Sequence, residues 1–355
     1  MGCSRGPSDK PNILILTLDT TRADYLGCYG STLGATPHLD QLASGGVRFA
    51  EARCQVPITL PSHVSLFTGT YPMQHGVHQH ADRFADESIV TLAEILQHEG
   101  YATGAILAAR VLDERFGLAR GFDHYDDDIG FYSDGRPADM RRAGAVVKQA
   151  KLVFQEWFGS GSTSGSRAPW FCWTHFYDPH IGYDPPSPFD SGFADDPYAG
   201  EVAYMDDEIG KLLAWLRQRG ELENTLVVAV ADHGESLGQH GIHGHTEYVY
   251  QDVLRIPFLL SWPGRIEAGQ VVTELAQTVD LVPTVLDYLG LDVGEVVAGR
   301  SLRPAVEGKP DTEPVASYFE SRYLERVFGW APLLGVEAGV HKLIVSPGSE
   351  LYNLA

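Results

Sequence analysis

The sequence predicts a three-layer α/β/α sandwich with a mostly parallel central sheet, followed by a small C-terminal α+β subdomain. Three observations carry this expectation. Apolar, β-rich runs alternate with segments of helical periodicity along most of the chain. Two of those runs, Asn12 to Leu18 and Leu226 to Ala231, end directly on an acid, Asp19 and Asp232. Open α/β sheets place their ligands at the C-terminal ends of strands, so the two acids are expected to meet on one sheet edge. After Ser301 the pattern changes to short strands and turns.

In chain order, Asn12 to Asp19 reads as a continuous apolar strand, the kind buried on both faces. Pro61 to Thr68 reads as a helix, with Pro and Ser at its entry and Gly69 at its exit. Thr91 to Glu99 has helical periodicity and stops at Gly100; Ala102 to Leu107 is the next strand. Arg136 to Phe158 forms a long amphipathic pattern, followed by a flexible Gly/Ser loop over Gly159 to Ser166. Trp170 to Phe176 is a strand that leads into Asp178-Pro179-His180. Tyr198 to Arg219 is helical and ends at Gly220, and Leu226 to Ala231 is a strand. Ile256 to Trp262 is a further strand and Leu281 to Leu289 a helix. There is no internal repeat. The 355 residues fit two domains, or one large α/β domain, at roughly 150 residues per domain. We expect a disordered tail over 1–10, a main domain over 11–300 and a subdomain over 301–355.

Composition narrows the function. Lys and Arg number 26 against 47 Asp and Glu, a formal net charge of −21. Such a surface repels a phosphate backbone, which argues against nucleic-acid binding. An anionic substrate then needs local positive charge, from a metal or from histidines. The longest apolar run falls far short of the roughly 20 residues that span a bilayer, so no membrane span is expected. Four scattered cysteines, with no CxxC, fit a disulfide-poor chain. No apolar signal region is visible at the start, so the chain reads as cytoplasmic. Cys3 before a Gly/Ser/Pro stretch is the one trace of a processed periplasmic or lipoprotein origin. No pattern sets an oligomeric state.

Ten of the fourteen histidines fall in three short windows: His63, His75, His78 and His80; His175 and His180; His233, His240, His243 and His245. Three clusters, two of them near strand-end acids, point to a metal or oxyanion site. Asp232-His233-Gly234-Glu235 is the sharpest piece, because a tandem Asp and His can reach one cation while Gly234 lets the backbone turn away. Of His75, His78 and His80, one is expected to face the pocket. His240 and His243 read equally well as solvated loop residues. Arg255 is expected to orient a strand end through an ion pair.

From Pro11 to Leu354 the sequence resembles the sulfatase family of the alkaline phosphatase superfamily. The resemblance rests on ordered motifs: Leu16-Thr-Leu-Asp19 with Gly27-Cys-Tyr-Gly30, Leu60-Pro-Ser-His63 with Thr68-Gly69, and Tyr71-Pro72 with His75-Gly76-Val77. Asp178-Pro-His180, Ala231-Asp-His-Gly-Glu235 and Arg255-Ile-Pro257 complete the series. It implies the sandwich fold, a small anionic ester as substrate, and hydrolysis of phosphate or sulfate esters. The family places Cys or Ser at the nucleophile of a motif that stands here as Thr59-Leu60-Pro61-Ser62-His63. Thr59 cannot mature to the formylglycine aldehyde, so no formylglycine is expected, and Cys54 has the wrong spacing to replace it. His63 stands where the family has an Arg supporting the nucleophile. Superfamily members that act on phosphate esters use a threonine, which points to a covalent Thr59 intermediate and to phosphate mono- and diesters ahead of sulfate esters.

The resemblance also implies metal ligands: Asp19, Asp232, His233 and Thr59, with Thr20 in a weak or water-mediated role. His233 replaces an Asn common in sulfatases, moving the site from Ca towards Zn or Mn. His180 and His245 match positions that contact the anion or leaving group, and His245 stands in for a missing lysine. One divalent ion is expected. Two alternatives accompany this reading. A second ion held by Asp178, His180 and His245 would make the chain a two-metal phosphodiesterase. Loss of the Cys, Arg and Lys would instead fit a catalytically degenerate anion-binding protein. Family members usually continue past the position of Ala355, so the subdomain is expected to be a shortened one.

Overall fold

The computed structural model describes residues 10–131, 138–159, 168–292, 294, 297–309 and 315–355. The expected tail over 1–10 falls almost wholly outside these residues, as does most of the Gly/Ser loop.

Eight strands form the central sheet: β1 (Asn12–Leu18), β2 (Val47–Phe49), β3 (Ala102–Ile106), β4 (His124–Asp126), β5 (Trp170–Phe176), β6 (Thr225–Ala231), β7 (Phe258–Ser261) and β8 (Gln270–Val272). Their order is β8-β2-β7-β6-β1-β5-β3-β4. All run parallel except β7, which is antiparallel to both β6 and β2. β1 sits between β5 and β6, and all its residues after Asn12 are buried. That burial on both faces is why this run is continuously apolar rather than alternating. The edge strands β4 and β8, and β2 next to β8, have three residues each, too few to leave a periodic signal in the sequence.

Helices cover both faces. Side chains alternate along β5, so Trp170 and Trp173 point to opposite sides. Trp170 meets Phe154 of the Ala143–Phe158 helix, with ring centroids 4.8 Å apart. Trp173 meets Phe67 of the Thr59–Thr68 helix at 4.4 Å. The Pro197–Arg217 helix lies beside the Ala143–Phe158 helix, and the Leu281–Leu289 helix beside Thr59–Thr68. The long amphipathic helix, expected from Arg136, begins at Ala143. Asp178 accepts the Ala143 N–H at 2.8 Å there and caps the free helix end.

A second sheet of four antiparallel strands follows in chain order: β9 (Ala316–Ser321), β10 (Leu333–Ala338), β11 (His341–Val345) and β12 (Glu350–Asn353). Ahead of it, the Arg303–Val306 helix still packs on the Leu281–Leu289 helix of the main body. The sheet is pinned by a bidentate pair between Arg53 and Glu337, at 2.7 and 3.0 Å, with both side chains 4% exposed.

Trp173 ties the core to the strand end. It is fully buried, its indole N–H donates to Thr17 Oγ1 at 2.8 Å, and its ring also contacts His63. Trp173→Ala should therefore cost about 3–5 kcal/mol in urea unfolding, the range for large aromatic truncations. A loss below about 1 kcal/mol would contradict this placement.

Candidate active site

Strand register brings the chemistry together. Leu18 pairs with Phe176 on one side and with Ala231 on the other, so β1, β5 and β6 end level. The residues that follow are Asp19 and Asp232, and the Asp19 N–H donates to Phe176 O at 2.9 Å. Asp19, Asp232 and His233 form the single Asp/His group among the described residues whose ligand atoms lie within 4.8 Å of one another. His233 Nε2 lies 3.4 Å from Asp232 Oδ2 and 3.8 Å from Asp19 Oδ1. All three side chains are fully buried.

This group fits a dication. Both Asp19 oxygens and Asp232 Oδ2 are buried without a hydrogen-bond partner. Burial, with the charge of Glu235, pushes Asp19 up to about 8; burial, with the charge of Asp19, raises Asp232 well above the usual carboxylate range. A cation between them removes both costs. His233 Nδ1 lies 2.9 Å from Gly234 O and donates to it, which leaves Nε2 as a lone pair facing the acids. Burial holds this ring far below its ordinary pKa, in the neutral form a metal ligand needs.

Thr20, expected as a weak ligand, is turned elsewhere. Its hydroxyl donates to Pro179 O, while its N–H donates to Asp232 Oδ1 at 3.3 Å. Its φ of 49° is rare for a β-branched residue, and that turn aims the N–H at the acid.

Thr59 opens its helix, two residues before the expected start at Pro61. Its Oγ1 lies 3.4 Å from His233 Nε2. Pro61 has no N–H and Ser62 N–H bonds to Ile58 O, so the amides of Thr59 and Leu60 are the ones the helix leaves unpaired at this end. His63 donates from Nδ1 to Thr59 O at 2.8 Å, and burial keeps it neutral. It therefore braces the helix start. Cys54 is fully buried with Sγ towards Val253 O.

His245 and His180 arrive from two other loops. Their rings are 5.1 Å apart, and His245 is 4.6 Å from His233. Burial alone would favour neutral His245, but the fully buried Glu235, 3.0 Å from its Nδ1, outweighs that and raises its pKa. His180 stacks on Tyr177 at 4.2 Å, and burial with His245 nearby drives it down to about 3. Of His75, His78 and His80, His80 is the one that the charge of His245 acts on. Its Nδ1 is buried without a partner, and its pKa falls to about 4 through burial and the charge of His245. His75 bonds Ser65, and His78 pairs with Glu320. His240 and His243 are exposed. Arg255 pairs with Glu51 at 3.0 Å, as expected.

Asp178 does not join His180 and His245. One oxygen accepts the Ala143 N–H, and the other lies 3.2 Å from Arg142 Nη1. The carboxylate is spent on capping a helix, so the second ion site expected from Asp178, His180 and His245 does not assemble.

His175 and Glu235, to which the sequence assigns no individual role, also lie at the site. His175 Nε2 is 3.5 Å from Asp19 Oδ2, and its Nδ1 is 3.0 Å from Thr17 Oγ1. The signal was present: His175 sits one residue before the end of a strand predicted to be buried. Its pairing with Thr17 needed the register.

Residues 11–291 match the sulfatase family profile, and residues 238–347 match the profile for the C-terminal part of N-sulphoglucosamine sulphohydrolase. The chain is 23% identical to N-acetylglucosamine-6-O-sulfatase of Bacteroides thetaiotaomicron, over 85% of this chain and 72% of that protein. It is 28% identical to N-acetylgalactosamine-6-sulfatase of Homo sapiens, over 90% of this chain and 70% of that protein. Among solved structures, it superposes on phosphonate monoester hydrolase of Agrobacterium radiobacter with a TM-score of 0.79 at 21% identity, covering 97% of this chain and 89% of that one. A complex with the substrate D-glucosamine-2-N,6-O-disulfate superposes with a TM-score of 0.80 at 21% identity, covering 97% and 91%. Fold and relatives together define a hydrolase of sulfuric or phosphoric esters, with a buried group able to bind a divalent cation. Within that class, the chain belongs to the sulfatase family.

Asp19→Ala or Asp232→Asn should abolish divalent metal binding, measured as metal per chain after dialysis, because a dication loses an anionic ligand. Thr20→Ala should retain the metal, since the hydroxyl points to Pro179. Metal loss in Thr20→Ala alone would reverse the assignment.

Proposed function

We propose that this protein hydrolyses phosphate mono- and diesters in preference to sulfate esters, through a covalent intermediate on Thr59. The observation that supports this most directly is a threonine, rather than an oxidisable residue, at the helix start, 3.4 Å from His233 Nε2. The relatives named above are sulfatases, while a phosphonate monoester hydrolase shares the fold; a threonine at the nucleophile position supports the phosphorus chemistry.

Thr59, as its alkoxide with the proton released to solvent, attacks phosphorus. The bond from Oγ1 to phosphorus forms, the bond to the ester oxygen breaks, and the departing oxygen takes a proton from His245. Water then attacks phosphorus and gives its proton to His245, the bond from phosphorus to Oγ1 breaks, and phosphate (from a diester, the phosphate monoester) leaves with the Thr59 alkoxide restored. A Zn, Mn or Ca ion held by Asp19, Asp232 and His233 would lower the pKa of the neighbouring hydroxyl and offset phosphoryl charge. The unpaired amides of Thr59 and Leu60 suit the transferring oxygens. His63 fixes the Thr59 carbonyl, Glu235 orients His245, and His180 lines the anion pocket beside them.

A sulfatase aldehyde hydrate expels sulfate by collapsing its own hemiacetal. Thr59 has one hydroxyl, so its intermediate is released only by water attacking the central atom. A phosphothreonine is open to that attack in a histidine-lined pocket, whereas a sulfothreonine lacks a comparably fast exit.

Thr59→Ala should lower kcat/KM by several orders of magnitude, the scale of nucleophile removal, and Thr59→Ser should retain measurable turnover. The assay is a panel of aryl sulfate, phosphate monoester, phosphodiester and phosphonate substrates with added Zn, Mn or Ca. A preference for aryl sulfate over every phosphorus ester, or an unchanged rate in Thr59→Ala, overturns the mechanism. His245→Ala should slow turnover while leaving the metal content intact; loss of a full metal equivalent would instead make His245 a ligand.

A further inference from the structure

The last two residues of β9 each grip a different active-site loop. Glu320 is fully buried, and its two oxygens are separately engaged, by His78 Nδ1 at 2.5 Å and by the Tyr318 hydroxyl at 2.6 Å. Its own N–H donates to Gln55 O at 2.8 Å, in the segment leading to Thr59. Ser321 is 1% exposed, and its hydroxyl donates to Thr246 O. His78 lies two residues before His80, and Thr246 lies one residue after His245. One strand end of the C-terminal sheet therefore holds both loops whose histidines face the site.

Each loop needs such a hold. The turn after His78 is closed by Asp82, which accepts the N–H groups of His78 and Gln79 at 2.8 and 3.1 Å. That makes the turn a stiff unit, and the bond from His78 to Glu320 sets where it sits. Thr246 has a φ of 85°, a conformation a β-branched residue keeps only when its surroundings impose it. Here the constraint comes from both sides of the residue: Ser321 holds its carbonyl, and Pro57 O accepts its N–H at 3.1 Å.

We propose that Glu320 and Ser321 are positioning residues for the ester-hydrolysing site, fixing through His78 and Thr246 the loops that present His80 and His245 to the bound anion. The C-terminal sheet is then part of the active site's construction, although none of its residues touches the reacting atoms. This inference rests on the reading that His80 and His245 face the anion.

The test compares the full-length, metal-loaded wild type with Glu320→Gln, Ser321→Ala and the doubles Glu320→Gln/His80→Ala and Ser321→Ala/His245→Ala. Inorganic phosphate is the probe, followed by calorimetry and by competition against p-nitrophenyl phosphate. Each single variant should keep its metal and weaken phosphate binding by about 10-fold, the scale on which outer-shell partners act. Each double should be no weaker than its histidine single, because the positioning residue acts only through that histidine. Losses that multiply in the doubles, or unchanged phosphate affinity in Glu320→Gln, overturn the proposal. Histidine ring nitrogen NMR separates this outcome from failure of the functional reading. Glu320→Gln should move the His80 signal and Ser321→Ala the His245 signal even if phosphate does not bind, and unmoved signals overturn the proposal. Should Glu320→Gln fail to fold, His78→Gln breaks the same tie from the other side and carries the same expectations.

Discussion

Asp19 and Asp232 lie fully buried and close together at the ends of neighbouring parallel strands, and much of the surrounding structure answers to their mutual repulsion. Two ionised carboxylates in such a place cost several kcal/mol unless an opposite charge joins them. The chain supplies partial relief: the N–H groups of Thr20 and His233 reach Asp232 Oδ1 at 3.3 and 2.8 Å. Among the described residues, no hydrogen-bond donor reaches the free oxygens of the pair. The strained Thr20 backbone, the neutral His233 with its lone pair turned inward, and the nearby His175 are arranged as a cage for a dication.

Behind the cage runs a layer of neutral braces. Trp173 donates to Thr17, Thr17 meets His175, and His175 faces both Asp19 and His63, which in turn holds the Thr59 carbonyl. Core packing is thereby continuous with the site, and the aromatic layer under the Thr59–Thr68 helix fixes ligand orientation as well as stability. Asp178 and Arg142 illustrate a different economy, in which an acid at a strand end serves helix capping instead of metal binding.

The charge distribution fits an anionic substrate only locally. A net charge of −21 repels anions at long range, so attraction has to be generated inside the pocket. The free amides at the start of the Thr59 helix and the histidine that Glu235 keeps protonation-prone are able to do this, and a dication at Asp19, Asp232 and His233 would add to it. No helix among the described residues is long and apolar enough to cross a membrane.

The sequence by itself determined the layered fold, because buried parallel strands must be continuously apolar and their crossovers amphipathic. It also placed Asp19, Asp232 and His233 at strand ends, where α/β sheets concentrate ligands, and the family resemblance added Thr59, His63, His180 and His245. Tertiary structure alone decided which neighbours these side chains meet. Register made His175 a partner of Thr17 and Asp19, and helix capping removed Asp178 from the ligand set. A positive φ turned Thr20 from ligand to backbone donor, and a contact spanning 242 residues joined Glu320 to His78. Local pattern records burial and periodicity, which each residue feels through its near neighbours. Side-chain pairing between distant segments leaves no such local trace, so it was settled only when the strands aligned and the C-terminal sheet docked.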